Sequence, residues 1–274
     1  MKVKNLMTEN LITIDKDQNL SDAIKLMGKN KVSRLLVLNT NQDHKKELVG
    51  IISERDIARE IGSSKLEKKP LARIHVSSVM VKEVITADED TDLVDVAKLM
   101  LDNRIGSVPV MDFEGNLVGM VTKADFLTLA DGRAFDKIPI KEVMSTNIIS
   151  VNPSERAVHG RRLMLDSKVG RLPVIDDDKL VGILTSKDLI RLFIDIKKNV
   201  PDNHQKNKIK EVLISDIMSS NPLSANENES ISKADKLMIE TGFSGLPIIN
   251  DSDMVIGMIT QTDILKLIVN LDSY

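Results

Sequence analysis

The chain has 274 residues, of which 42% are apolar and 29% are charged, and its net charge is −3. This balance is typical of a soluble globular protein and argues against an overall basic surface for nucleic acid. The lack of cysteine excludes disulfides and thiolate chemistry. Because no apolar stretch reaches the length of a membrane span or forms a signal segment, we expect a soluble, cytoplasmic protein.

Four copies of one unit follow one another along the chain. Each copy opens with a methionine: Met7, Met80, Met144 and Met218. Five residues later comes an apolar residue followed by Thr or Ser: Ile12-Thr13, Ile85-Thr86, Ile149-Ser150 and Leu223-Ser224. A stretch with apolar residues at helical spacing then ends in Leu-Met, and an apolar strand follows it. This order predicts β-α-β-β-α units in a mixed α/β (α+β) fold.

The most specific part of each copy is its closing string of Gly, two apolar residues, Ser or Thr, two variable residues and Asp. It occupies residues 50–56, 119–125, 182–188 and 257–263. At ordinary residue frequencies one such match arises on the order of once in ten thousand positions. Four matches in one chain therefore indicate an internal repeat.

The repeat predicts four small motifs at residues 1–62, 74–130, 138–196 and 211–272. A unit of fewer than about 60 residues is marginal alone, so we expect each sheet to be buried against a neighbouring copy. The longer connections lie after the first and third copies, which predicts that the first motif pairs with the second and the third with the fourth. The two pairs would form a disc within one chain, or a homodimer.

These strings resemble the CBS domain, and the resemblance covers almost the whole chain as four motifs in two tandem pairs, each pair known as a Bateman module. It implies pseudo-two-fold pairs whose clefts bind AMP, ADP, ATP or S-adenosyl compounds. It also implies a regulatory role, with an unidentified protein responding to the bound ligand.

The closing string suits a nucleotide, because one carboxylate can accept hydrogen bonds from both ribose hydroxyls. The candidates are Asp56, Asp125, Asp188 and Asp263. The hydroxyls three residues earlier, at the mouth of a helix, can reach the ribose or its phosphate. They belong to Ser53, Thr122, Thr185 and Thr260. The glycine of the string is expected to keep backbone close to the ligand.

The copies differ at the start of the middle strand, which the resemblance directs at the phosphates. The position carries Arg34, Ser107, Arg171 and Gly245, and three residues earlier stand Lys31, Arg104, Lys168 and Gly242. Arginine suits phosphate because it is planar and always charged. We therefore predict one stronger phosphate site in each pair, at Arg34 and Arg171, with Ser107, Lys31 and Lys168 as further phosphate contacts.

The resemblance also directs the segment before the first strand at adenine. The residues concerned are Ile12, Thr13, Ile85, Thr86, Ile149, Ser150, Leu223 and Ser224. The histidines are scattered singly, so no metal ligand set is recognised, and no nucleophile–base pair or phosphate loop indicates an enzyme or a catalytic cofactor.

Several alternatives stay open. Ser/Thr-x-x-Asp is also close to a capping box, which needs no ligand, and both roles can coexist. Lysine-rich segments at 63–69 and 197–210 are solvated linkers in the plainer interpretation. In the other they form a patch for RNA, with nucleotide as a co-ligand, although few aromatics are present to stack on bases. An S-adenosyl-compound sensor and a structural scaffold without ligand complete the alternatives.

Overall fold

A computed structural model describes residues 1–40, 46–61, 69–129 and 135–271. The predictions at residues 63–68 of the first lysine-rich segment lie outside these ranges. Within the described part of the chain, no helix is both long and apolar enough to cross a membrane.

Each unit is a small sheet followed by a helix. The first contains β1 (Thr13–Asp15), α1 (Leu20–Asn30), β2 (Arg34–Thr40), β3 (Lys46–Ser53) and α2 (Glu54–Ile61). The second contains β4 (Ala87–Asp88), α3 (Leu93–Asp102), β5 (Ser107–Met111), β6 (Leu117–Thr122) and α4 (Lys123–Leu127). The third contains α5 (Ala157–Asp166), β7 (Arg171–Asp176), β8 (Lys179–Thr185), α6 (Ser186–Asn199) and α7 (Asp202–Glu211). The fourth contains β9 (Ser219–Ser220), β10 (Ala225–Asn226), α8 (Ile231–Thr241), β11 (Gly245–Ile249), β12 (Val255–Thr260) and α9 (Gln261–Leu271).

The predicted mixed α/β fold is confirmed, with one difference. In the first, second and fourth units a short strand lies parallel to the middle strand, which pairs antiparallel with the last one. In the third unit a single bridge between Val151 and Val174 replaces the first strand. That sheet takes its third strand from β9, which pairs with β8.

The sheet register brings the predicted phosphate position and the predicted ribose position together. The first residue of each middle strand lies directly opposite the Ser or Thr of the closing string. The pairs are Arg34 with Ser53, Ser107 with Thr122, Arg171 with Thr185, and Gly245 with Thr260. A register shift just before the repeated glycine occurs in all four copies, so the first half of each last strand is bent in the same way.

The opening methionine of one motif packs on the closing-string glycine of its partner motif, and this contact joins the paired motifs. A Cβ added at Gly50 would lie 2.5 Å from Sδ of Met80, which opens the second motif, and one at Gly257 would lie 2.7 Å from Sδ of Met144. Met7 lies over Gly119 in the same way, closer still. The glycine is therefore required by the partner motif's methionine. This differs from the expectation that a ligand would approach there.

Within each pair, the segment that follows the opening methionine of one motif pairs with the last strand of the other motif. Thr8 of the first motif bridges to Met120 of the second, and Val81 of the second bridges back to Ile51 of the first. In the other half of the chain Ser145 bridges to Met258, while β9 pairs with β8. The first motif is thus associated with the second, and the third with the fourth.

The two pairs also share their hydrophobic cores. Ile190 and Phe193 of α6 belong to the buried cluster of the first motif, and Leu265 and Val269 of α9 belong to that of the second. Since α2 packs on α6 and α4 packs on α9, the helices that follow the four closing strings meet between the pairs. This packing positions the site described next.

Candidate functional site

The closing strings cap the helices that follow them. Backbone N of Thr185 donates to Oδ2 of Asp188 at 2.8 Å, and the Thr185 hydroxyl donates to the same oxygen at 2.6 Å. Asp188 N in turn donates to the Thr185 hydroxyl at 3.4 Å. The corresponding bonds from Ser53, Thr122 and Thr260 to their aspartates have lengths of 2.5 to 3.0 Å. The capping interpretation therefore describes a real interaction in every copy.

Capping uses only one oxygen of each aspartate. Oδ1 of Asp56 lies 3.3 Å from Arg59, and Oδ1 of Asp263 lies 3.6 Å from Lys266. These basic partners are about half exposed, with side-chain exposures of 48% and 60%, so a ligand can displace them at small cost. Asp56 and Asp263 can thus each cap a helix with one oxygen and accept from a ribose with the other, whereas the Asp188 side chain is only 6% exposed and its second oxygen lies 4.0 Å from Arg191.

Arg34 reaches out of its own motif and lies against the second motif. A Cβ at Gly106 would lie 2.8 Å from one terminal nitrogen of Arg34 and 3.0 Å from the other, so the guanidinium packs closely on this glycine. Arg171 of the third motif does the same in the other pair. It donates to the carbonyl of Gly245 at 3.0 Å and to the hydroxyl of Ser244.

Arg34, Arg55, Lys123 and Arg171 form a central cation cluster drawn from three motifs. Burial, then Arg55, lowers the pKa of Arg34, while Asp56 and Asp125 act in the opposite direction. Burial, then Arg34 and Arg55, lowers the pKa of Lys123 to about 8. Burial and Arg55 lower the pKa of Arg171 to about 10.

The cluster is therefore close enough for its charges to repel one another. Lys123 donates to the hydroxyl of Thr262 in the fourth motif at 2.9 Å, so all four motifs border it. Among the ion pairs of the described residues, none neutralises Arg34, Arg55, Lys123 or Arg171. Such an arrangement is stabilised when an anion binds.

The other predicted phosphate residues lie elsewhere or are buried. Lys31 and Lys168 are exposed and have left-handed backbone conformations, with φ of 54° and 56°, just after α1 and α5. Neither lysine affects the pKa of Arg34, Lys123 or Arg171. Ser107 is 6% exposed and starts β5, next to Gly106.

The residues predicted to contact adenine lie at or just before the first strand of the first, second and fourth motifs, and just before the Val151 bridge of the third. Thr13 begins β1 opposite Leu36 of β2, and Ile85 and Thr86 lead into β4. Leu223, just before β10, is 44% exposed. These segments border the middle strands that carry Arg34 and Ser107 at their starts, so they lie on the sheet that forms the site.

Sequence reasoning missed Arg55 and Lys123, which occupy the variable positions of the closing string. A signal was present. The first turn of a helix favours acidic residues because its amide groups carry partial positive charge. Arg55 and Lys123 lie in the first turns of α2 and α4, beside Asp56 and Asp125, where the helix amides disfavour a basic residue.

The family model described as the CBS domain matches residues 3–63, 76–132, 140–195 and 214–270. Protein MJ1225 of Methanocaldococcus jannaschii is 27% identical over 275 residues, covering 96% of this chain and 97% of that protein. Its crystal structure, described as that of a proposed archaeal homologue of γ-AMPK, has a TM-score of 0.84 at 26% identity and covers 98% of this chain and 100% of that chain.

Two further similarities cover about half of this chain. A crystal structure of CBSX2 of Arabidopsis thaliana in complex with AMP is 27% identical, covers 49% of this chain and 98% of that chain, and has a TM-score of 0.42. The L-aspartate semialdehyde sulfurtransferase of M. jannaschii is 31% identical over 144 residues, which are 52% of this chain and 27% of the enzyme.

Proposed function

This chain belongs to the CBS domain family, and we propose that it is a non-catalytic regulatory protein that binds AMP, or ADP or ATP, in clefts between paired motifs. The observation that carries the proposal is the central cation cluster, in which Arg34, Arg55, Lys123 and Arg171 lie close enough to act on one another through their charges and take part in none of the ion pairs within 4.0 Å among the described residues. The similarity to MJ1225, described as a homologue of γ-AMPK, supports it.

The charge of the cluster favours a nucleotide over an S-adenosyl compound. A phosphate brings negative charge to Arg34 and Lys123 and relieves their mutual repulsion. The sulfonium of S-adenosylmethionine brings one more positive charge to the same place and is opposed by it. An RNA-binding role is less well supported, because the exposed lysines of α7 lie on a polar helix outside the cluster.

The aspartates of the closing strings complete the site. Asp56 and Asp125 both influence Arg34 electrostatically, so the proposed ribose acceptors and the proposed phosphate group share one region. We assign the ribose hydroxyls to the aspartate oxygens that do not cap a helix, and adenine to the segments at Ile12-Thr13 and their equivalents. Lys31 and Lys168 contribute at most a screened attraction from the surface.

Regulation would follow from where the cluster lies. Arg34, Arg55 and Lys123 belong to the first pair of motifs and Arg171 to the second. A bound phosphate would therefore attract both pairs and favour the arrangement that brings them together. A protein that recognises this arrangement would sense the nucleotide.

Calorimetric titration of the purified chain with AMP, ADP, ATP, adenosine and S-adenosylmethionine tests the proposal. We expect saturable binding of at least one nucleotide, and binding of adenosine at least about tenfold weaker. Arg34→Gln and Arg171→Gln should each weaken binding about tenfold or more. Lys31→Gln removes one surface charge and should change affinity less than about twofold. Failure of all three nucleotides to bind would refute the proposal.

The ribose assignment can be tested without altering the protein. An Asp→Ala change would remove a helix cap together with a ligand contact, so its effect on binding would be ambiguous. The 2′-deoxy and 3′-deoxy forms of AMP each lack one hydroxyl, and each should bind about tenfold more weakly than AMP. Equal affinity for all three would show that the aspartates act only as caps.

A further inference from the structure

A cavity opens between the first and third motifs, bordered by α1, the start of α2 and α6. Its volume is about 180 Å³. The walls are apolar and consist of Ile24 and Met27 of α1 and Ile190 and Ile194 of α6. An engineered apolar cavity of about 150 Å³ accommodates benzene, so this space is large enough for an aliphatic side chain.

The polar residues of this cavity carry both signs of charge. Glu54, at the start of α2, lies beside the apolar walls, and burial raises its pKa. Lys187 and Arg191 of α6 line the same cavity. Lys187 acts on Glu54 through its charge, yet no ion pair within 4.0 Å joins these two described residues. The Arg191 guanidinium lies 4.0 Å from the carboxylate of Asp188, at the limit of an ion pair, and its side chain is 67% exposed.

The first and third motifs differ at two positions that line this cavity in the first motif. Aligned on the Leu-Met string, Ile24 and Gly28 correspond to Arg161 and Leu165. Arg161 bridges from α5 to the end of α2, where it donates to the carbonyl of Ala58 at 3.0 Å. The space beside that bridge is only about 40 Å³.

At Gly28 nothing lies within 4 Å of an added Cβ. The first motif thus lacks both the long bridging side chain and the bulk that its counterpart carries. The space is a difference between copies and does not follow from the repeat itself.

We propose that this cavity binds an α-amino acid with an aliphatic side chain, such as leucine or isoleucine. The ligand's ammonium would pair with Glu54, its carboxylate with Lys187 or Arg191, and its side chain with the isoleucines. A zwitterion satisfies both signs of charge at the cavity, whereas an amine or a carboxylate alone satisfies only one. The site is separate from the central cation cluster and does not depend on the proposed nucleotide function.

Heteronuclear NMR titration of the full chain, without nucleotide, tests this proposal with L-leucine, isoamylamine and 4-methylpentanoate. We expect saturable shifts of α1 and α6 amides with leucine below about 10 mM, and binding of the two singly charged analogues about tenfold weaker or more. Absence of saturable shifts with leucine would overturn the proposal, as would equal binding of isoamylamine or 4-methylpentanoate.

Two variants locate the ligand. Gly28→Leu introduces the residue type that the third motif has there and should weaken leucine binding about tenfold by occupying the cavity. Lys25→Leu changes an exposed residue of the same helix outside the cavity and should leave leucine binding unchanged. The heteronuclear spectrum of Gly28→Leu without ligand shows whether the chain is folded. Undiminished leucine binding in Gly28→Leu would overturn the assignment.

Discussion

Nucleotide affinity should fall as the pH rises above about 8, because Lys123 loses its charge there. Burial together with Arg34 and Arg55 lowers the pKa of Lys123 from 10.5 to about 8. A phosphate bound beside Lys123 favours the charged form and raises this pKa again. Binding above pH 8 is then coupled to the uptake of one proton.

The structure sets an upper limit on this effect. When binding takes up one proton, the dissociation constant increases by up to about tenfold for each unit of rising pH. If the bound phosphate restored the full ordinary pKa of Lys123, the total increase in the dissociation constant would be about 300-fold. Lys123 keeps some contact with solvent, which screens the interaction. We therefore expect about ten- to thirtyfold weaker binding at pH 10 than at pH 8.

The unliganded protein should respond in the opposite direction. Between pH 8 and 10.5 an unfolded chain holds the proton that Lys123 has lost in the folded chain. The contribution of Lys123 to the free energy of unfolding therefore increases across this window. Weaker binding at high pH would then not be a consequence of unfolding, and thermal denaturation without nucleotide at each pH checks this.

Calorimetry of AMP binding from pH 7 to 10, in buffers of different ionisation enthalpy, measures both the affinity and the proton uptake. Lys123→Met should give weaker binding at pH 7 and a nearly flat profile above pH 8. Lys98→Met, an exposed lysine on α3, should keep the slope of the unaltered chain. A flat profile in the unaltered chain, or the same slope in Lys123→Met, would refute the reasoning.

Three further predictions concern packing, the contact between pairs and charge. Gly50→Ala should cost about 1–3 kcal/mol of stability through overlap with Met80, and adding Met80→Ala should recover part of this loss in urea denaturation; strictly additive effects would contradict the contact. Arg161→Met should cost about 1–2 kcal/mol by removing a donor from the end of α2, while AMP affinity stays the same. Arg34→Gln should reduce the salt dependence of AMP binding, and an unchanged dependence would place the phosphate elsewhere.

Much of the fold could be predicted from the sequence because it depends on local patterns. Helical spacing of apolar residues and the repeated closing string are enough to order the elements in three of the four motifs. The third motif was predicted less well, because its first strand is reduced to a single bridge and its sheet gains β9, which is distant in sequence, on the opposite edge. The contact between Met7 and Gly119 was not predictable either. Both residues recur in every copy, but their contact joins two different motifs.

The site was predictable where it follows the repeat and unpredictable where it depends on how motifs meet. Aspartate and hydroxyl recur at fixed spacing, so the string itself marked Asp188 and Thr185. Arg55 occupies a variable position, and its neighbours in the cluster come from other motifs. Aligning the four copies does not show that these cations lie together, because they occupy different positions in different motifs.

The unequal copies have a physical reason. If every copy carried an arginine at the start of its middle strand, the second motif would add a charge beside Arg34 and the fourth would add one beside Arg171. Two like charges about 4 Å apart repel by about 4 kcal/mol at an effective dielectric constant of about 20. Ser107 and Gly245 stand at this position instead, and the partner motif's arginine lies against Gly106 in one pair and donates to the carbonyl of Gly245 in the other. A repeat that converges on one cation cluster must therefore lose its own symmetry, and the alternation of arginine with a small residue is where this chain does so.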